Sequence, residues 1–301
     1  MKKSTRNIVK MHGWRVDRAV HNYIYFAYYD LYTNIFLKAG RFLVSRFLWL
    51  RAPKLAFRIV FDRYHSKVLT KNDVRKIITL NQDLIIGPDR SKRVIPFPQA
   101  NKIILKEPEF IAVMDCPCRL IREEPCQALS VCMAVGRTTA EFWLEHCQKY
   151  HVRKINQDEA LKIITEARER GCITTAWFKV ATGGRTGVIC SCCKCCCGGI
   201  EGTRIAQKFD KSLLMTAPSG YSVVHDPKKC KMDRKCSNVC IFNAVTFSAD
   251  GERIYDKAAC MGCGLCVEKC EQKALSLVRD SSKGDPLDVD SLREKLKVGT
   301  L

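Results

Sequence analysis

The sequence predicts an α+β chain of three parts. A basic helical arm comes first, a Cys-rich α/β domain second, and a C-terminal unit last, in which a β-loop-α-β motif occurs twice about a pseudo-twofold axis. Three observations carry this. Cys260, Cys263, Cys266 and Cys270 stand at C-x2-C-x2-C-x3-C spacing, and Cys230, Asp233, Cys236 and Cys240 repeat it thirty residues earlier with Asp in second place. Cys190-Ser-Cys192-Cys193-Lys-Cys195-Cys196-Cys197 places six Cys in eight positions. Residues 1–63 carry thirteen Lys/Arg against three Asp, which is +10 of the chain's +20. The expected parts are 1–64 (arm), 65–219 (Cys-rich domain), 220–280 (repeated unit) and 281–301 (tail).

A chain of 301 residues can bury a core and hold two or more domains. Nineteen Cys point either to secreted disulfides or to metal. The basic start, Met1-Lys-Lys-Ser-Thr-Arg, is not followed by a clean apolar run and a small-residue cleavage site. The Cys also fall in C-x-C, C-C and C-x2-C groups, which cannot easily staple distant segments but suit metal. The expected setting is cytoplasmic, reducing and anaerobic.

In the arm, aromatics from Tyr23 to Phe61 alternate with Lys and Arg, and Pro and Gly are scarce. Helices are expected, with breaks near Gly40 and before Pro53. No stretch reaches the roughly 18 apolar residues that a spanning helix needs, because Lys38, Arg41 and Arg46 interrupt Ile35–Leu50. Aromatics mixed with basic residues fit helices lying on a membrane surface, here the inner face. They equally fit an arm packed on its own protein or on an acidic partner. Nucleic acid is disfavoured, since no binding motif appears.

Thr70-Lys-Asn-Asp73 leads into a short helix over Val74–Leu80. Phe110–Met114 reads as a strand ending at Asp115, which delivers Cys116-Pro-Cys118 at its tip. Cys126 and Val131-Cys132 are expected in the loop that follows. Thr139–Tyr150 reads as a helix with Phe142, Trp143 and Cys147 turned inward. Asn156-Gln-Asp-Glu159 is a capping-box variant that opens a second helix, with Ala160, Ile163, Ile164 and Ala167 on one face and Gly171 closing it. Cys172–Phe178 is β-like. Cys147 and Cys172 stand alone and read as small core residues. Gly183-Gly184 marks a turn, and Thr186–Cys190 a strand that runs into the Cys cluster.

Thiols this dense oxidise or repel one another unless metal holds them. An extended segment would put Cys190, Cys192 and Cys196 on one face and Cys193, Cys195 and Cys197 on the other. The expectation is an additional iron–sulfur site built from Cys116, Cys118 and several of Cys190–Cys197, with Cys126 and Cys132 as further candidate ligands. A zinc site is the alternative, since four-thiolate sites use similar spacings.

In the repeated unit, Tyr221–Val224 is a strand before the first motif. Ala244–Phe247 and Arg253–Tyr255 form a hairpin around Asp250-Gly251, and Ala274–Val278 is the closing strand. A polar linker, Asp280–Pro286, precedes a short helix over Asp288–Lys297.

Residues 220–280 resemble the bacterial two-cluster ferredoxin domain, in which the fourth Cys of each run ligates the other cluster. The resemblance implies one [4Fe–4S] cluster on Cys240, Cys260, Cys263 and Cys266. It implies a second on Cys230, Cys236 and Cys270, with Asp233 in the position of the missing thiolate. That second site would be an Asp-ligated [4Fe–4S] cubane or a [3Fe–4S] cluster, or the motif is dead. Ile241 and Glu271 stand where the family has Pro. Most of residues 60–290 is also similar to a group of uncharacterised anaerobe iron–sulfur proteins. These join such a tail to an Asp-Cys-x-Cys-Arg element, here Asp115–Arg119, and to a Cys-rich run, here Cys190–Cys197.

The leading functional expectation is single-electron transfer through two ferredoxin clusters and an additional one. Its partners would be redox proteins: a flavoprotein, a ferredoxin or an oxidoreductase. A reductase whose upstream cluster acts on a substrate is the second reading, and a zinc-dependent binding or regulatory module the third. No Gly-rich nucleotide fingerprint follows a strand, and the six His show no metal-pair spacing.

Overall fold

The computed structural model describes residues 2–47, 52–87, 94, 103–179, 182 and 185–297. It is a mixed helix-and-strand, α+β structure. Four helices come first: α1 (Lys3–His12), α2 (Val16–Ala27), α3 (Tyr29–Phe47) and α4 (Ala52–Arg63). The strands are β1 (Tyr64–Leu69), β2 (Leu84–Ile86), β3 (Ile103–Leu105), β4 (Ile111–Asp115), β5 (Ser130–Val135), β6 (Arg153–Ile155), β7 (Ile173–Lys179), β8 (Arg185–Cys192), β9 (Thr216–Ala217), β10 (Tyr221–His225), β11 (Val245–Phe247), β12 (Arg253–Tyr255) and β13 (Leu275–Arg279).

Seven of these strands make one sheet, in the order β6-β4-β5-β8-β7-β1-β9. Every neighbouring pair is antiparallel except β1 with β9. The period of two divides the strands into two apolar faces. Ala112, Met114, Cys132, Ala134, Trp177 and Val188 point to one side. Ile111, Val113, Met133, Val135, Phe178 and Ile189 point to the other. The second side is covered by the helices Lys71–Ile78 and Gln157–Glu169 and by the β2–β3 pair.

The first side is covered by the N-terminal helices themselves. Tyr25, Phe26, Tyr29, Leu37, Phe57 and Phe61 bury against that face together with Phe142 and Trp143 of the helix Arg137–His146. Each such side chain contributes on the order of 1.5–3 kcal/mol. The aromatics of α2 thus have a core of their own chain. Val16, Val20, Ile24, Leu31, Ile35 and Phe42 of α2 and α3 remain outside it, exposed. The expected break at Gly40 does not occur, because α3 runs through it to Phe47. One helical glycine costs only about 1 kcal/mol, and here a Cβ would stand 3.3 Å from the Ile205 side chain. The glycine lets α3 lie close on the helix Gly198–Ala206. The break before Pro53 falls next to residues 48–51, outside the described residues, as does the Gly183-Gly184 turn.

Local chemistry sets the boundaries. Thr70 and Asp73 form a full capping box on the helix Lys71–Ile78. The Asn156 side chain accepts from the Glu159 N–H at 2.8 Å, and Gly171, at φ +88°, closes that helix. The loop expected around Val131-Cys132 is instead β5. Cys132 is a buried strand residue paired with Cys190 of β8. Cys126 stays in the loop.

The C-terminal unit pairs β10 with β13 and β11 with β12, with Gly251 at φ +84° in the hairpin turn. Its two halves repeat in backbone shape. Met232 and Arg234 adopt φ of +55° and +60°, and their counterparts thirty residues on, Gly262 and Gly264, adopt +65° and +80°. Asn243 and Lys273 repeat it again, at +53° and +50°. The second loop closes on β10 and is pinned to the helix Gln157–Glu169. A Cβ on Gly262 would fall 2.2 Å from the Tyr221 carbonyl oxygen. The buried Arg168 guanidinium donates to the Cys263 carbonyl at 2.7 Å and pairs with Glu268 at 2.5 Å.

Candidate metal centres

The Cys fall into three groups in space. The repeated unit holds the first. Its two short helices, Lys235–Asn238 and Leu265–Glu268, touch each other. Each carries the third Cys of its run and sets the fourth just beyond its end. The Ala244 N–H donates to the Cys240 sulfur at 3.2 Å, and the Ala274 N–H to the Cys270 sulfur at 3.3 Å. These two equivalent bonds suit thiolate acceptors. Burial raises the Cys263 thiol to about 12; Arg168 opposes that rise, and neighbouring Cys240 and Cys260 add to it. Burial also raises Cys266, and the neighbouring Cys263, Cys260, Cys240 and Cys236 add to the rise. The Tyr255 hydroxyl accepts from the Val223 N–H at 3.2 Å, and burial, with Cys260 second, raises it.

A small cavity on the other side of the unit is lined by Cys230, Asp233, Cys236 and Cys270, together with His225 and Arg253. The first run, with Asp233 in it, has therefore kept its loop. The Asp233 carboxylate accepts from the Lys235 N–H at 3.1 Å. His225 Nε2 and Arg253 Nε and Nη2 are buried without a hydrogen-bond partner. Sulfur ligands and orphaned nitrogen donors around one cavity fit an anionic iron–sulfur group.

The second group is Cys126, Cys193, Cys195 and Cys196, whose sulfurs all lie within 4.8 Å of one another. Cys126 and Cys195 each stand 3.5 Å from Cys196. The third group, Cys116, Cys118, Cys132, Cys190, Cys192 and Cys197, lines a cavity between the sheet and the N-terminal helices, and Cys193 of the tetrad also reaches its wall. Cys132 and Cys190, paired across β5 and β8, approach to 3.5 Å. Hydrogen bonds from Cys118, Cys132 and Cys192, with burial second, raise the thiols of Cys116, Cys190 and Cys197 respectively. Ionising them calls for a positive centre, and metal binding supplies one as it displaces the protons.

This division corrects the strict alternation expected for Cys190–Cys197. The alternation holds only to Cys192, where β8 ends opposite Ile173. Residues 193–196 then turn, so Cys196 joins Cys193 and Cys195, and Cys197 joins Cys190 and Cys192. Cys116 and Cys118 lie around one cavity with Cys190, Cys192, Cys193 and Cys197 of the run, while Cys195 and Cys196 lie outside it. Cys147 is a core residue whose thiol donates to the Phe26 carbonyl at 3.6 Å. Cys172 is buried too, but it packs with Cys193 and Cys196 and bonds Arg119 at 3.4 Å.

Three residues of the site escaped the sequence. Arg119 follows Cys118 in the Asp115–Arg119 element, so its position carried a signal. It is buried, and burial works against its charge while Cys116, Cys172, Cys193 and Cys126 favour it. Its sulfur neighbours belong to both upstream groups. Lys179, at the far end of β7, is fully buried and donates to the Tyr29 hydroxyl at 2.7 Å. Burial lowers it, and Cys190, Cys132, Cys118 and Cys116 oppose that. Trp177 closes the cavity above Gly199, where a Cβ would meet its ring at 2.4 Å. Nothing local in sequence marks the last two.

Compared with known proteins, residues 253–276 match the model of a 4Fe-4S binding domain. The match spans Cys260–Cys270, while the copy with Asp233 lies outside it. It supports at least one [4Fe–4S] cluster, and with the Cys tetrad it indicates an iron–sulfur, metal-binding, electron-transfer role. No curated protein matches the chain. No helix among the described residues is long and apolar enough to cross a membrane.

Proposed function

We propose that this chain is an iron–sulfur electron carrier in which the two-cluster unit exchanges single electrons with a redox protein and relays them to the upstream thiolate region. In this reading Cys240, Cys260, Cys263 and Cys266 hold one [4Fe–4S] cluster. Cys230, Cys236 and Cys270, with Asp233, hold a second that is [4Fe–4S] or [3Fe–4S]. One observation carries the relay. Cys263, Met261 and Leu265 share one apolar cluster with Cys192 and Cys197, joined through Val68, Ile173, Ile200 and Ile241, so the Cys loop and the upstream sulfurs belong to one packed region. The clusters supply the redox centres, and the protein supplies short separations, dry surroundings and donors to sulfur.

The partner we favour is an acidic flavoprotein or ferredoxin, drawn by Lys228, Lys229, Lys231 and Lys235 around the first loop. The exposed apolar row on α2 and α3 supports contact with the inner face of a membrane. The test is anaerobic potentiometric titration of the whole chain followed by EPR. At least two clusters should reduce reversibly, with splitting from spin coupling between them. A chain that bleaches without a reversible signal would count against an electron carrier.

A further inference from the structure

We propose that the upstream Cys form two separate metal sites of different kind. The tetrad of Cys126, Cys193, Cys195 and Cys196 takes one tetrahedral ion, zinc or ferrous iron. The cavity ringed by Cys116, Cys118, Cys132, Cys190, Cys192 and Cys197 takes a sulfide-bridged centre of several irons. The inference deepens the reading above, since it rests on this chain assembling iron–sulfur centres.

The spacing of the tetrad argues for one ion. Four thiolates at about 2.3 Å from one tetrahedral metal stand roughly 3.8 Å apart. The sulfurs here lie within 4.8 Å of one another, with two separations of 3.5 Å. A cubane holds its thiolates on four separate corner irons, hence wider apart. The ligands arrive from the turn after β8 and from the loop carrying Cys126, and Gln127 is drawn to Cys172 at 3.1 Å beside them. The tetrad faces a groove shared with the helix Lys235–Asn238 of the two-cluster unit.

The second site differs in every respect. It has six sulfurs besides that of Cys193, which lines it from the tetrad, more than one ion can bind, and it is walled by Tyr25, Tyr29 and Tyr64 of the N-terminal helices and β1. Around it stand unsatisfied donors. Arg119 Nε, Trp177 Nε1 and Ser191 Oγ are buried without partners, on side chains at least nine-tenths buried that line the cavity. Lys179, fully buried, donates to the hydroxyl of Tyr29, one of the cavity's walls, at 2.7 Å. Buried cations need an anion close by, and here the groups offered are thiols. Thiolates bridged by iron and sulfide place negative charge where Arg119 and Lys179 stand, and give the orphaned N–H and O–H groups sulfur to donate to. Each thiol that ligates releases its proton to solvent, and iron and sulfide are supplied during assembly.

The test uses the full chain, loaded anaerobically with ferrous iron, sulfide and zinc, and counts zinc, iron and acid-labile sulfide per chain. Cys195→Ser with Cys196→Ser should remove about one zinc (or one iron) and no sulfide. Cys116→Ser with Cys190→Ser should remove roughly four irons or more with a similar amount of sulfide, and leave the zinc. Loss of iron and sulfide together from the tetrad variant would overturn the single-ion site. Unchanged iron in the cavity variant would overturn the multi-iron site. X-ray absorption at the zinc edge of the unmutated protein guards against misfolded variants. Four sulfurs at about 2.3 Å and no metal neighbour are expected, and a nearby iron refutes the assignment. Cys263→Ser separates this from the carrier reading, because its iron loss reports the two-cluster unit alone.

Discussion

Arg168→Met tests what holds the C-terminal unit against the seven-stranded sheet and its helices. The substitution keeps the aliphatic stem and removes the guanidinium. That group is 2% exposed and carries three sets of contacts. It pairs with Glu268 through Nε at 3.1–3.2 Å and Nη2 at 2.5 Å, donates to the Cys263 carbonyl at 2.7 Å, and bonds Thr174 Oγ1 at 3.2 Å. Breaking a buried ion pair costs roughly 3–5 kcal/mol when the remaining charge is stranded. Glu268 is 26% exposed, so its carboxylate can rehydrate, and about 2–3 kcal/mol is the fairer figure. The orphaned Cys263 carbonyl adds about 1 kcal/mol. The expected total of about 3–4 kcal/mol is a large part of a domain's usual 5–15 kcal/mol. It should appear as local opening. Amide exchange over residues 262–268 should quicken about 100-fold or more, while the strands β4 and β8 stay protected. Glu268→Gln alone should cost less, and the double variant should be non-additive. Unchanged exchange in Arg168→Met would refute the claim that this residue pins the cluster loop.

The two halves of the unit should respond differently to loss of a thiol. Cys263→Ser should first harm the [4Fe–4S] signal assigned to Cys240, Cys260 and Cys266, and Cys270→Ser the signal of the Asp233 site; EPR of the reduced protein distinguishes them. Gly262→Ala should prevent the second loop from closing, because its Cβ would stand 2.2 Å from the Tyr221 carbonyl oxygen and 2.4 Å from Ser219 Oγ, at φ +65°. The expected result is loss of bound iron in the unit; wild-type iron content would contradict it. Lys67, buried and donating to the Pro218 carbonyl at 2.7 Å, is lowered to about 7 by burial, with Asp73 and Asp285 opposing. An unfolded Lys holds its proton to about pH 10.4, so between about pH 7 and 10 the unfolded chain binds more protons and stability rises with pH. Lys67→Met should flatten that rise by several kcal/mol in urea titrations at pH 7 and 9.5; an unaltered slope would show that Lys67 stays charged.

Local signals were legible wherever a few residues decide the structure. Thr70 with Asp73 and Asn156 with Glu159 name their helix starts because the capping group is three residues from its partner. The thirty-residue repeat was legible for the same reason: each loop is built from its own Cys and turn. What depended on a distant partner was not. Cys132 looked like a loop residue because its strand is defined by pairing with β4 and β8, twenty and sixty residues away. The alternation after Cys192 failed because β7 begins at Ile173, so β8 has nothing to pair with beyond it. The fate of the N-terminal aromatics was left open between surface and core, since only the exposed face of β4, β5 and β7 decides it. Lys179 is the extreme case. A strand-end lysine ordinarily faces water, and only the four covering helices make it a buried cation.

The copy with Asp233 shows how loop shape and ligand chemistry come apart. Its left-handed positions are filled by Met232 and Arg234, where the second copy uses Gly262 and Gly264. Non-glycine residues there cost on the order of 1 kcal/mol each. The fold carries that cost and keeps Cys230, Cys236 and Cys270 around one cavity with Asp233. A loop with no ligand would have no such reason to hold sulfurs together, nor to leave His225 and Arg253 nitrogens buried and unsatisfied beside them. Those donors would stabilise added negative charge. A carboxylate, being a harder ligand than thiolate, releases iron more readily. With a cluster bound, the two effects would work on different steps: the donors would favour its reduced state, and Asp233 would govern whether the fourth iron stays. The two Cys loops of the unit, nearly identical in backbone, are therefore set apart by side chains alone, one pinned by Arg168, the other lining the cavity of Asp233, His225 and Arg253.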